Sequence, residues 1–135
     1  MATPRPAVRY STTVTKVGPL VADFVGQGML ILFGEGAPEE LHEFCALHRP
    51  HIRVGGVRPG DELHVDGHRF KILAVGDVVH ANLTALGHIS FKACGAVVAQ
   101  LPGDVCLEKV PLPHLREGSR VEIVAGVPAE AERTS

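Results

Sequence analysis

Eight histidines in 135 residues set the chemical question, because imidazole is the side chain that most readily serves as base, nucleophile or metal ligand near neutral pH. Their spacing sorts them. His42, His48 and His51 gather in one stretch and His64 and His68 straddle a turn, but neither set repeats a metal-ligand pattern. No metal or other cofactor is implied. Gly26-Gln27-Gly28 and Gly34-Glu35-Gly36 lack the lysine and spacing of a phosphate-binding loop, and there is no Gly-x-Ser-x-Gly elbow. Cys45, Cys94 and Cys106 are odd in number, far apart and without a Cys-x-x-Cys pair, which reads as reduced, mostly buried thiols. The chemistry left open is that of a single imidazole that accepts and passes on a phosphoryl group. It needs a neutral ring nitrogen for in-line attack and nearby donors for the equatorial oxygens, the rest being supplied by partner proteins.

His48 is the candidate, with Arg49 as the nearest donor. The run from Gly34 to His48 reads as a helix: Pro38 suits the first helical position, and Glu39, Glu40 and Glu43 place negative charge at the positive end of the dipole. Leu41, Phe44, Cys45 and His48 fall at i, i+3, i+4 and i+7, so His48 shares the apolar face, and Arg49-Pro50 ends the helix. Two readings stay open. One is a core-edge histidine bonded to a carbonyl at the helix end; the other is a nucleophile fixed by packing, with one ring nitrogen exposed. Histidines 64, 80 and 114 read as surface residues, and His88 as core-edge or loop.

The elements that must position this residue are mostly strands. Val8 to Val17 alternates as a strand, and Met29 to Phe33, five apolar residues bounded by glycine, reads as a strand buried on both faces that feeds the His48 helix. Leu20 to Gly28 carries mixed helix and loop signals and is left unassigned. Asp66-Gly67 is a two-residue hairpin turn that sets Val65 opposite His68, His64 opposite Arg69 and Leu63 opposite Phe70. Gly76 to Gly87 reads as a short helix capped by Asp77, striped by Val79, Leu83 and Leu86, and closed by a left-handed Gly87. Strands follow at His88 to Ala93, Val97 to Leu101, Val105 to Leu107 and Ser119 to Ala125. Many short strands, Gly/Pro turns and one or two short helices predict a mainly β fold, a small closed or nearly closed β-barrel.

Composition agrees with one domain over residues 8–125, between disordered ends at 1–7 and 126–135. At 45% hydrophobic and 21% charged, with no apolar run near the roughly 18 residues of a membrane span, the chain reads as globular. No apolar segment follows Arg5, so a secretory signal is not expected and a cytoplasmic location is. Net charge of −2, one Tyr and no Trp offer neither the basic stripe nor the aromatic platform of nucleic-acid binding.

The set Glu35-Gly36-Ala37-Pro38, Leu41, Phe44-Cys45, His48, followed by Val75-Gly76, Asn82-Leu83 and Leu86-Gly87-His88, resembles one family. It is similar to the glucitol/sorbitol-specific IIA component of the bacterial phosphoenolpyruvate-dependent sugar phosphotransferase system, over about Val8 to Val124. The resemblance implies a cytoplasmic phosphocarrier and a small closed barrel. It also implies phosphate taken from the histidine-containing phosphocarrier protein and given to a cysteine on the permease's IIB domain. The family's phospho-accepting histidine follows an aromatic-Cys-x-x pattern, here Phe44-Cys45-Ala46-Leu47, and so falls on His48. Where the family often continues with Cys-His, this chain has Arg49-Pro50-His51, which makes His51 a stand-in; His88 closes the second motif as a further supporting candidate. The competing reading is a regulatory or binding barrel that has lost phosphotransfer, for which a buried His48 would speak.

Overall fold

Alternation along the strands decides what lies inside. The computed structural model describes residues 7–53 and 56–126. In chain order the elements are β1 (Val8–Val17), α1 (Val21–Gly26), β2 (Met29–Gly34), a 3-10 turn at Glu39–Leu41, β3 (Ala46–Arg53), β4 (Glu62–Val65), β5 (His68–Val75), α2 (Val79–Leu86), β6 (Ile89–Lys92), β7 (Asp104–Leu107) and β8 (Arg120–Val124). The strands close into a barrel in the order β1-β3-β2-β6-β7-β5-β4-β8, so among the described residues no strand of the sheet lacks a neighbour on either side. Leu30 and Leu32, Leu63 and Val65, Phe70 and Ile72, Ile89 and Phe91, and Val121 and Ile123 point inward and form the core. The pairs β2–β3 and β6–β7 are parallel; the other pairings are antiparallel.

The hairpin register is the one that Asp66-Gly67 demands: Val65 opposite His68, His64 opposite Arg69, Leu63 opposite Phe70. Asp66 and Gly67 both take positive φ, 49° and 88°, as a tight hairpin turn of this type requires. His68 pairs with the buried Val65 and so falls on its face of the hairpin, yet stands exposed where the strand begins.

The expected helix from Pro38 to His48 does not form. Only Glu39–Leu41 turns, and Ala46–Arg53 is a strand. The reason is tertiary: β3 inserts between β1 and β2, with Val14 opposite His48 and Gly34 beside it, so ladder hydrogen bonds on both sides replace those of a helix. The apolar spacing read as helical has a different basis. Cys45 and Leu47 join Phe33 and Ala37 in a second, smaller cluster, with Ile31, Leu41 and Phe44 packed against it. Ala46 belongs to the main core, and His48, two residues on, shares its side of the strand. Pro50 is tolerated in β3 because the ladder shifts register there, Ser11 pairing Ile52 and Thr12 pairing Pro50.

Smaller differences have local causes. The unassigned stretch after β1 contains α1. Helix α2 starts at Val79 with Val78 as its cap and no side-chain capping bond, so Asp77 does not cap it, and Leu86 is half-exposed. Residues 97–101 form no strand; Val97, Val98 and Leu101 lie exposed in an irregular loop before β7. The expected disordered ends, apart from Ala7 and Gly126, lie outside the described residues, as do Val54 and Gly55.

Candidate functional site

Three segments meet over the end of β2. Gly34 pairs with His48 on the parallel neighbour β3, and the corner after α2 crosses Gly34 so closely that a Cβ on Gly34 would sit 2.7 Å from the Leu86 carbonyl oxygen. Gly87, at φ 66°, makes that corner. A Cβ there would meet the Gly34 nitrogen at 2.9 Å and His48 Nε2 at 3.1 Å. These two glycines let two backbones touch beside one imidazole.

His48 is held at both ring nitrogens. Nδ1 lies 2.6 Å from the Thr12 hydroxyl on β1, and Nε2 lies 2.6 Å from the Gly87 carbonyl oxygen. The Tyr10 ring meets the imidazole edge-on, centroids 6.0 Å apart. The residue is 0% exposed, so of the two readings the geometry is that of a packed histidine bonded to a carbonyl, with no ring nitrogen open to solvent. The cause is the strand placement: a histidine on the inner side of β3 points between β1 and the α2 corner, whereas one ending a surface helix would meet solvent.

Beside the ring opens a cleft of about 360 Å³ lined by Phe33 to Gly36, His48 to Pro50 and Thr84 to Gly87. Arg49 is on its wall, exposed, and its guanidinium donates to both carboxylate oxygens of Glu35, at 2.8 and 3.3 Å. That contact, with a further hydrogen bond from Thr15, holds the Glu35 carboxyl below the usual carboxylate range. His51 points elsewhere, its Nε2 2.8 Å from the Thr13 hydroxyl, and does not line the cleft. His88 stacks on Phe33 at 4.8 Å and 17°, behind the cleft wall. The buried Cys45 thiol has its pKa raised by desolvation, which leaves it unreactive. Thus His48 and Arg49 come together at the cleft, His88 backs it, and His51 stands apart. Thr12 and Gly87 are the contacts that the residue pattern alone did not single out. The available signal for Thr12 was its position between Tyr10 and Val14 on the inward side of an alternating strand.

Residues 9–122 match the family model for the PTS system glucitol/sorbitol-specific IIA component. The chain belongs to this family. The glucitol/sorbitol-specific EIIA components of Shigella flexneri and Escherichia coli (strain K12) are each 39% identical over 98 residues, covering 73% of this chain and 80% of theirs. The crystal structure of a PTS system IIA component from Enterococcus faecalis V583 matches the fold with a TM-score of 0.72, at 22% identity, over 85% of this chain and 99% of that one. As a glucitol/sorbitol-specific IIA component, the chain is an element of a phosphotransferase system; among the described residues, no helix is long and apolar enough to cross a membrane.

Desolvation also lowers the pKa of His88 below the usual imidazole value. Its folded pKa is therefore below its unfolded one, so its contribution to stability is complete above about pH 6.5 and is lost as the pH falls through the lower folded value. Urea unfolding of the parent and of His88→Gln at pH 7.5 and pH 5.5 checks this: the parent is expected to lose more stability on acidification than the variant. Equal losses would count against it.

Proposed function

We propose that this IIA component accepts a phosphoryl group on His48 from the histidine-containing phosphocarrier protein and passes it to a cysteine on a IIB permease component during glucitol/sorbitol uptake. The observation that carries the reading is the meeting of two independent lines on one atom group. The imidazole that the family motif designates is also the one at the wall of the cleft formed by Gly34 to Gly36, Arg49 and the α2 corner. The cleft has room for a phosphoryl group, and Arg49 can exchange its exposed pairing with Glu35 for one with phosphoryl oxygens. His88 supports the wall through Phe33.

The complete burial of His48 favours a second reading, a barrel that acts by protein contact and no longer transfers phosphate. One experiment separates them. The purified chain and a His48→Ala variant are incubated with phosphoenolpyruvate, enzyme I and the histidine phosphocarrier, and their intact masses are measured. One acid-labile phosphate on the parent and none on the variant is expected. No phosphate on a folded parent, with the upstream carriers active, would leave the contact-only reading.

A further inference from the structure

We propose that Cys94 and Cys106 form a reversible disulfide when the chain meets a low-molecular-weight disulfide such as oxidised glutathione, with Cys94 as the attacking thiol and Cys106 as the resolving one. The site lies outside the His48 cleft, which neither cysteine lines. Parallel pairing brings the two together. On β6 and β7, Lys92 stands opposite Cys106, and the Gly95 amide then donates to the Leu107 carbonyl at 2.9 Å. In a parallel ladder that bond sets Cys94, the residue before the donor, opposite Leu107, next along from Cys106. Neighbouring strands ~4.8 Å apart and a step of ~3.3 Å along the chain place the two Cα atoms roughly 6 Å apart, inside the span that a disulfide bridges.

Facing follows from the same ladder. Val105 and Leu107 point into the core, so Asp104 and Cys106 point out of the barrel, and Lys92 on that side gives its ammonium to Asp104 Oδ2 at 2.8 Å. Cys94, two residues past Lys92, returns to that side, and the chain turns away at Gly95, φ 73°. The Cys94 thiol is near enough to act on its neighbour: after burial, its charge and hydrogen bonding are the next causes holding the Cys106 pKa above the ordinary thiol value. Exposure then divides the roles. Cys94 is exposed, whereas Cys106 is 2% exposed and covered by the loop that carries Val98, its Sγ–H donating to the Val98 carbonyl oxygen at 3.9 Å. Cys45, buried among Phe33, Ala37 and Leu47, takes no part.

The Cys94 thiol gives its proton to water and its thiolate attacks one sulfur of oxidised glutathione. The Cys94–glutathione S–S bond forms, and the glutathione S–S bond breaks with its electron pair on the departing thiolate. Loss of the Cys106 proton to water lets that thiolate attack Cys94 Sγ, so the Cys94–Cys106 bond forms and the second glutathione thiolate leaves. The two released protons end on the two glutathione thiolates; the protein thiols are oxidised by two electrons and the reagent is reduced by two. The ring so closed, residues 94–106, removes the S–H that held the Val98 carbonyl. It also ties down the loop whose Val98 to Pro102 walls a cleft of about 440 Å³ with Val75 to Asp77.

The test incubates the folded full chain with oxidised glutathione, alkylates the remaining thiols after unfolding, and weighs the tryptic peptides. Residues 93–109, between Lys92 and Lys109, hold both cysteines and no further tryptic site. The bridged peptide is expected unalkylated and lighter by two hydrogen atoms than the reduced one, with Cys45 alkylated, and dithiothreitol is expected to restore both thiols. Cys106→Ser is expected to stop at glutathione on Cys94. Cys94→Ser, altered at an exposed position, is expected to take up glutathione about tenfold more slowly than the parent or slower still. Glutathione retained on Cys94 of the parent with Cys106 alkylated, a Cys94–Cys94 dimer, or a parent that stays fully reduced would each overturn the bridge. Uptake at the parental rate in folded Cys94→Ser would overturn the division of roles. None of these readouts depends on phosphate at His48.

Discussion

A Gly87→Ala chain is expected to be less stable than the parent by about 3 kcal/mol, and to incorporate little or no phosphate. Two costs combine. At φ 66° an L side chain is strained, which by itself is worth about 1–3 kcal/mol. The added methyl would also lie 2.9 Å from the nitrogen and 3.0 Å from the Cα of Gly34, and neither is the end of a flexible side chain. One of the two backbones must therefore yield. Whichever does, His48 Nε2, at 3.1 Å from the new methyl, loses its setting. The checks are the urea midpoint and the phosphate incorporated by the folded fraction. A variant with the parental midpoint would show that this crossing is looser than described.

Phe91→Ala is expected to cost about 4 kcal/mol, the largest loss for a single core truncation here. Phe91 is 0% exposed on β6, where it pairs with Leu30 on the antiparallel side and Val105 on the parallel side. Removing the ring deletes its transfer free energy and leaves a hole that a closed barrel, tied by hydrogen bonds on every side, cannot collapse to fill. For a domain of this size the melting temperature should fall by about 15 °C. A calorimetric shift of under about 5 °C would mean that the core relaxes into the space. Because His48 lies on the other flank of β2, phosphate incorporation at low temperature should survive.

What the residues disclosed in advance was whatever depends on neighbours in the chain. The 62–75 hairpin register follows from Asp66-Gly67, the double-sided burial of β2 from its unbroken apolar run, the inward face of β6 from short-range alternation, and the left-handed end of α2 from Gly87. The fold family was legible because those local signals alternate with Gly/Pro turns throughout. His48 was legible as a residue but not as an environment. Its strand is fixed by Val14 and Gly34, each more than ten positions away, and by Gly18, whose lack of a Cβ admits the His42 carbonyl to within 2.1 Å of where that atom would be. No window along Pro38 to His48 contains this crossing, so the i, i+3, i+4 spacing was read as a helix when it marks the residues that cover the second cluster. Arg49 lines the cleft, while His51, beside the register shift at Pro50, meets Thr13 away from it.

The position of β8 bears on how the chain reaches this structure. Strand β8 hydrogen-bonds to β1 on one side and to β4 on the other, so the first-formed and last-formed parts of the barrel are neighbours. Until residues 120–124 have left the ribosome, both partner strands show bare edges and the cylinder cannot shut. Folding during synthesis is therefore confined to local pieces such as the 62–75 hairpin, and cooperative closure waits for the final strand. The cleft beside His48, whose Thr12 contact lies on β1, inherits that delay: it is assembled only once residues 120–124 have emerged.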